Sequence, residues 1–387
     1  MCYDTGGYTV QEILTSFCDK ILEIIELVNE NELTCEEAKN LLTEIKEELL
    51  PIEVKKILDE YVADGTLENL INIDKLNTLK QEMIDYHNRT VLAYKMKGIN
   101  VYQRGNGSFT RFLQDLDKMV ELGMNTVFIP VYAVYDGNII THELTLAEVE
   151  YMITEAKNRG LKPYLKCHKA SGAEITNKSD FLTQWSIFID RYIDISKRFD
   201  IDTLYFMNEL EYITSDSSAT NQLVKIIQKI KTSGLKCGYT YKGTREVDYS
   251  LINGYLDIIG INYYPKLTLK GYDVSHSDAT RKVYENIYNT INMVTKEHKK
   301  PVIISEFGCT RNVDALSNTG TWSFSTDKQT FETQKILYKA GLEAFNNKEL
   351  NIQGIVFWST DTWNKVNTFS PFGNPEAEEI IKSYEVV

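Results

Sequence analysis

The sequence of 387 residues has few of the side chains that build metal centres or disulfide frameworks, with five histidines and six cysteines. The cysteines show no CxxC spacing, so reduced and mostly buried thiols are favoured, although disulfides stay open. The histidines form no cluster with the spacing of metal ligands. We therefore expect neither a metal ion nor another cofactor.

Long apolar runs and basic stripes are also absent. No run approaches the roughly 20 residues that span a bilayer, and the N-terminus lacks a basic segment followed by an apolar one. The net charge is −13, and clustered Lys and Arg that could bind phosphates are missing. The sequence predicts synthesis in the cytoplasm without a signal peptide, no membrane insertion and no nucleic-acid partner.

The acidic excess lies entirely at one end of the chain. Residues 1–88 hold 20 Asp and Glu against 7 Lys and Arg, whereas the remaining residues are formally neutral. We interpret this step as a boundary between a region at 1–90 and a larger one at 91–387. Apolar residues at helical spacing predict short helices between residues 13 and 86. Their narrow apolar stripes favour assembly, either as a homo-oligomer or by docking, and the alternative is a cap on the larger region.

From residue 95 onward, short β-rich runs alternate with amphipathic helical stretches. This pattern predicts a (β/α)8 barrel, that is, a TIM barrel, preceded by the small all-α region. An open doubly wound sheet is the rival fold, but the turn at 103–109 lacks the GxGxxG form expected after its first strand. The predicted strands are 97–102, 125–131, 162–167, 202–207, 236–241, 256–262, 301–307 and 354–359.

Polar residues collect where the predicted strands end. Chemistry in such barrels takes place at the C-terminal ends of the strands, so these side chains are candidate site residues. They are Lys166 and His168 after strand three, Asn208 and Glu209 after strand four, Asn262 and Tyr264 after strand six, Glu306 after strand seven and Trp358 after strand eight. Trp322 and Trp363 lie on predicted loops near the same end, where sugar binding and ordinary packing are both open.

Two of these residues are carboxylates that follow strongly apolar strands. Glu209 and Glu306 lie on strands four and seven, which face each other across an eight-stranded ring. Hydrolysis of a glycosidic bond requires a proton donor for the leaving oxygen and a carboxylate on the anomeric side. The pair therefore predicts a glycoside hydrolase, and its placement permits the short separation of retaining enzymes.

The motifs around these carboxylates resemble a known family. MNEL at 207–210 and ISEFG at 304–308 look like the acid/base and nucleophile motifs of clan A, the large retaining (β/α)8 glycosidase clan. Within that clan, the chain most resembles the family 113 endo-β-1,4-mannanases. The supporting segments are LKCHKASG at 165–172, with cysteine where the family has proline, GINYYP at 260–265, FWS at 357–359 and FSPFGNPEAEEI at 369–380.

The resemblance implies a role for each matched residue. Glu209 would be the acid/base and Glu306 the nucleophile, while Asn208 would bind the 2-hydroxyl of the −1 sugar. Tyr264 would orient Glu306, and Trp358 would form the floor beneath that sugar. We also expect substrate contacts from Lys166, His168, Asn262 and Trp363.

Two other functions stay open. The barrel could be a non-catalytic glycan-binding adhesin, or a structural appendage protein that docks to a larger particle. The stretch at 61–80 resembles helical leaders of bacteriophage tail and appendage proteins. That resemblance implies a virion-associated polysaccharide depolymerase docked through residues 1–90.

Overall fold

The computed structural model describes residues 90–91, 95–102, 109–170, 173–324, 328–360 and 368–385. The helices predicted between residues 13 and 86 lie outside the described residues, as does most of the turn at 103–109. No helix in the described ranges is both long and apolar enough to span a bilayer.

Eight parallel strands, β1–β8, close into a barrel in chain order, with β1 also paired to β2. This confirms the predicted TIM barrel. The strands are β1 (Met96–Asn100), β2 (Thr126–Tyr135), β3 (Lys162–Lys169), β4 (Thr203–Asn208), β5 (Lys236–Lys242), β6 (Ile258–Asn262), β7 (Val302–Glu306) and β8 (Ile352–Trp358). Ile140–His142 pairs antiparallel to the end of β2, a strand that the sequence pattern did not predict. Two-residue strands at Thr90–Val91 and Tyr384–Glu385 lie outside the barrel sheet.

Helices surround the barrel as the alternating pattern predicts. The connection between β5 and β6, where the sequence shows least helical pattern, holds a helix of only seven residues, Gly243–Tyr249. The helices are Phe109–Glu121, Leu146–Asn158, Lys178–Arg198, Glu211–Thr214, Ser217–Thr232, Gly243–Tyr249, His276–Asn292, Glu332–Phe345 and Pro375–Ser383. Met293–Glu297 continues the seventh as a π-helix, and short 3-10 turns lie at Asn253–Tyr255, Ala315–Ser317 and Lys348–Leu350.

Side chains fill the interior of the barrel towards the N-terminal ends of its strands, which we call the lower end. Phe128, Tyr164, Tyr205, Ile303 and Val356 form this inner cluster, and all are buried. A much larger apolar cluster lies between the strands and the surrounding helices. Because the inner cluster fills the barrel at that end, we expect a ligand to enter at the C-terminal mouth.

Two irregularities in strand pairing change which side chains reach that mouth. The β4–β5 register slips after Tyr205, so that Asn208 pairs with Thr240. The β6–β7 register slips after Ile261, so that Asn262 pairs with Glu306. Since side chains alternate along a strand, each slip of one residue changes the face that the following residues present.

Candidate active site

A cleft of about 590 Å³ opens at the C-terminal ends of the strands. Most of the residues predicted from the strand ends lie in its wall. The lining residues are His168, Asn208, Glu209, Lys242, Gly243, Asn262, Tyr264, Glu306, Asn318, Gly320, Thr321, Trp322, Trp358 and Phe369.

Glu306 lies at the bottom of the cleft with only 5% of its surface exposed. One carboxyl oxygen accepts a hydrogen bond from the Lys166 ammonium group, which is fully buried beneath it. The other accepts a hydrogen bond of 2.7 Å from the Tyr264 hydroxyl. Both partners donate, so they stabilise the ionised carboxylate and fix its orientation.

Burial opposes these partners. It raises the pKa of Glu306 to about 7, although the Lys166 charge acts in the opposite direction. Burial likewise lowers the pKa of Lys166 and, together with the neighbouring Glu306 carboxylate, raises that of Tyr264 well above its usual value. Within the pair, the two charges stabilise each other, because either charge alone would be costly to bury.

Glu209 is partly buried in the opposite wall and adopts an uncommon backbone conformation. Its φ is +52°, in the left-handed region that non-glycine residues seldom occupy. Its N–H donates to the carbonyl of Thr240 at 2.9 Å, and its Oε1 accepts from Asn262 Nδ2 at 2.7 Å. The left-handed turn allows Asn208 and Glu209, although consecutive, both to line the cleft.

Lys166 also determines how the amide groups of the site are oriented. An ammonium group only donates, so the atom of Asn262 at 3.4 Å from it is the oxygen. The Asn262 nitrogen then faces Glu209 and the oxygen of Asn208, the latter at 2.9 Å. This leaves the Asn208 nitrogen facing His168 Nδ1 at 3.2 Å. A neutral His168 must therefore accept at Nδ1 and carry its proton on Nε2.

Aromatic side chains supply the apolar part of the cleft. The Trp358 ring lies nearly parallel to the His168 ring, 6.2 Å between centroids. Trp322 packs on Phe369 at 4.5 Å, and 37% of its surface is exposed. Tyr264 meets Phe369 edge to face at 6.3 Å. Such surfaces suit the apolar faces of sugar rings.

The structure brings together seven of the nine residues for which the sequence predicted a role, and Trp322, for which sugar binding or packing was open, also lines the cleft. Lys166 contacts Glu306 from below without lining the cleft, and Trp363 lies outside the described residues. The sequence interpretation did not select Lys242, at the end of β5, or the segment 318–321. Lys242 could have been selected because it ends β5, as the other candidates end their strands. The segment 318–321 lies several residues after the end of β7 and contains no recognisable motif.

The fold resembles solved glycoside hydrolases. A structure described as a complex of a family 113 β-1,4-mannanase superposes with a TM-score of 0.63 and 17% identity, over 75% of this chain and 98% of that one. The β-mannanase AaManA from Alicyclobacillus acidocaldarius, in complex with ManMIm, gives 0.60 and 14%, over 75% and 96%. A β-glucuronidase from Ruminococcus gnavus gives 0.53 and 14%, over 75% and 49%. At such identities the likeness shows the fold alone.

No curated protein matches the sequence significantly. The model of Glycoside Hydrolase Family 113, however, matches residues 100–370. That segment contains both cleft carboxylates and well over half of the chain. The stretch at 61–80 with its phage-like pattern lies outside the matched and the described residues. The chain therefore belongs to Glycoside Hydrolase Family 113.

Proposed function

We propose that the protein is a retaining endo-hydrolase of a β-linked polysaccharide, either mannan-like or a bacterial surface glycan. One observation carries the proposal. Glu209 and Glu306 line the same cleft, yet their surroundings differ in charge. Glu306 has an ammonium and a hydroxyl partner, whereas the described partner of Glu209 is the neutral amide of Asn262. Two carboxyl groups in different environments suit two different catalytic roles.

In the first step, the ionised Glu306 attacks the anomeric carbon as the glycosidic C–O bond breaks. Glu209 donates its proton to the leaving oxygen, and a covalent glycosyl–Glu306 ester forms. Lys166 and Tyr264 hold the attacking carboxylate in place, which lowers the entropic cost of reaching the reactive geometry.

In the second step, Glu209 is ionised and acts as a base. It takes a proton from a water molecule, whose oxygen attacks the anomeric carbon and displaces Glu306. The free carboxylate and the protonated Glu209 are regenerated, so atoms and charges balance. The product keeps the β configuration because the carbon is inverted twice.

The other cleft residues suit sugar recognition. Asn208, whose amide nitrogen faces His168, lines the same cleft as the two carboxylates and would bind the 2-hydroxyl of the −1 sugar. His168 lines the same cleft and would contact a sugar hydroxyl. Trp358 would form the floor of this subsite, and Trp322 with Phe369 would stack against a neighbouring sugar ring.

Replacement of the nucleophile tests the proposal. Glu306→Gln should lower kcat/KM by at least about a thousandfold, roughly 4 kcal/mol of transition-state stabilisation. Glu211→Gln is the matched control. Glu211 lies two residues after Glu209 but pairs with Arg245 and does not line the cleft. Undiminished hydrolysis by Glu306→Gln would contradict the assignment.

The substrate and the stereochemistry require separate measurements. Release of reducing ends should be screened on mannan, xylan, glucan and peptidoglycan-type polymers. On an active polymer, proton NMR of the first product should show the β anomer before mutarotation; an initial α anomer would rule out double displacement. Binding to a glycan without new reducing ends would instead favour the adhesin.

We further propose that residues 1–90 mediate assembly, by self-association or by docking to a phage-like particle. The support is their acidic composition and narrow apolar stripes, which need a partner to bury them. Light scattering of the full chain should give a multiple of the 44.5 kDa monomer mass if they self-associate. A monomer at high concentration would leave docking to a particle as the form of assembly to test.

A further inference from the structure

A buried carboxyl group lies outside the cleft, behind the turn that carries Glu209. Glu246, on the helix Gly243–Tyr249, has no exposed surface. Its Oε1 accepts hydrogen bonds from the hydroxyls of Tyr239 at 2.5 Å and Thr214 at 3.4 Å, and its Oε2 accepts from the Lys242 N–H at 2.5 Å. Within the described part of the chain, no cationic side chain forms a salt bridge with it.

The Tyr239 hydroxyl connects this carboxyl group to the acid/base turn. It donates its proton to Glu246 and accepts a hydrogen bond of 2.7 Å from the N–H of Leu210. Leu210 directly follows Glu209, whose own N–H is held by the Thr240 carbonyl. The left-handed turn at Glu209 is therefore fixed by hydrogen bonds on both sides.

Burying a carboxyl group at this position costs free energy. Burial without a cation raises the pKa of Glu246 to about 7, since the ionised form is poorly solvated there. An apolar side chain of similar size would cost less free energy, but it could not orient a hydroxyl. Because Glu246 accepts the proton of the Tyr239 hydroxyl, that hydroxyl presents an oxygen lone pair to Leu210. The lone pair accepts the hydrogen bond from the Leu210 N–H.

We propose that Tyr239 and Glu246 are positioning residues that hold the backbone turn at Glu209, so that its carboxyl group meets the leaving oxygen of the substrate. The inference rests on the proposed acid/base role of Glu209. Neither side chain lines the cleft, so both act through the Leu210 peptide. They matter most when the leaving group needs a proton.

The test compares kcat/KM for two substrates that differ in whether the leaving group needs a proton. Tyr239→Phe removes the hydroxyl and keeps the ring. For a mannan oligosaccharide, or the oligosaccharide of whichever polymer is active, kcat/KM should fall about tenfold, the effect of one lost hydrogen bond. For the 2,4-dinitrophenyl glycoside of the same sugar, kcat/KM should change less than about threefold, because dinitrophenolate departs without protonation.

Tyr241→Phe is the matched control, two residues along the same strand. Its hydroxyl is also buried and hydrogen-bonded, but to Asn253 at 2.7 Å, away from the Glu209 turn. It should affect both substrates equally or not at all. Glu246→Gln, which keeps an acceptor for Tyr239, should lose less activity on the oligosaccharide than Glu246→Leu.

Two outcomes would overturn the inference: an equal loss on both substrates with Tyr239→Phe, or the same selective loss with Tyr241→Phe. Either outcome would show that Tyr239 has no specific effect on proton donation by Glu209. A wild-type protein that cleaves neither substrate would refute the proposed function itself. Thermal unfolding of each variant separates these results from a failure to fold.

Discussion

Lys166 is a single residue on which both the charge and the hydrogen-bond polarity of the site depend. Its ammonium group is fully buried and contacts Glu306 and the oxygen of Asn262. The first contact favours an ionised Glu306, and the second orients the amides that reach Glu209 and His168. A neutral side chain of similar shape would lose both effects.

The Glu306 carboxyl group should determine the acidic limb of the pH profile. Its pKa is raised to about 7, and only the ionised form can attack. The acidic limb should therefore lie near pH 7, with activity lost as the pH falls through that value. Below it, kcat/KM should decrease about tenfold per pH unit. A profile that stays flat down to pH 5 would contradict this prediction.

Lys166→Met should shift the acidic limb of the pH profile to higher pH. Removing the positive charge destabilises the ionised carboxylate, so the pKa of Glu306 rises and activity is lost at higher pH, by about one unit or more. Lys169→Met, the same change three residues later on β3, is the control, since within the described ranges Lys169 donates to the adjacent Ala170 carbonyl and forms no salt bridge. An unshifted limb in Lys166→Met would show that the two charges are not coupled.

At the scale of strands and loops, irregular register decides which side chains reach the cleft. Strict alternation would place Ser305 and Glu306 on opposite faces of β7. The slip between β6 and β7 brings Glu306 alongside Asn262 in the cleft, while Ser305 still donates to Asn262 Oδ1 at 2.8 Å. A slip is a property of two paired strands, so neither strand's sequence predicts it alone.

The loop that follows β7 contacts, through one glycine, the tyrosine that holds the proposed nucleophile Glu306. A Cβ at Gly320 would lie 3.1–3.2 Å from the Tyr264 side chain, too close for an ordinary contact. Gly320→Ala should push this ring and weaken its hydrogen bond to Glu306, lowering kcat about tenfold. Kinetics on the active polymer would measure the effect.

Gly254→Ala is the control for that change. A Cβ at Gly254 would meet no atom within 4 Å, and Gly254 does not line the cleft. This variant should keep full kcat. If both alanine variants behaved alike, the contact between Gly320 and Tyr264 would have no functional importance.

At the scale of the whole molecule, a second buried lysine joins the two ends of the barrel sequence. Lys97, on β1, donates to the carbonyls of Leu122 at 3.0 Å, Ile381 at 2.9 Å and Tyr384 at 2.5 Å. It therefore ties the last helix, Pro375–Ser383, to the lower end of the barrel. These contacts lie at the opposite end from the cleft.

Lys97→Met should lower the free energy of unfolding by roughly 3 kcal/mol, because three buried carbonyls lose their donor. Lys162→Met, also at a strand start, removes an exposed pair with Asp202 and a cation–π contact with Tyr164, and should cost about 1 kcal/mol or less. Denaturant titration with tryptophan fluorescence measures both, since all four tryptophans lie beyond residue 180. Equal stabilities would contradict the role assigned to Lys97.

Local patterns in the sequence determined the barrel and the choice of most site residues. The alternation of strands and helices follows from the spacing of apolar residues, and the polar residues that close each strand identify the mouth. Glu209, Glu306 and the motifs around them could be located this way because each lies within a short, recognisable segment. The extra strand at Ile140–His142 was missed because it depends on pairing with β2.

Only the tertiary structure decided which atoms meet. Lys166 and Glu306 are 140 residues apart in the sequence, and Asn262 reaches Glu209 across 53. The connection from Glu246 through Tyr239 to the Glu209 turn has no sequence signature, since a lone Glu on a short helix suggests a solvated face. Burial, charge pairing and donor direction arise from contacts between distant segments, and these exist only once the barrel has closed.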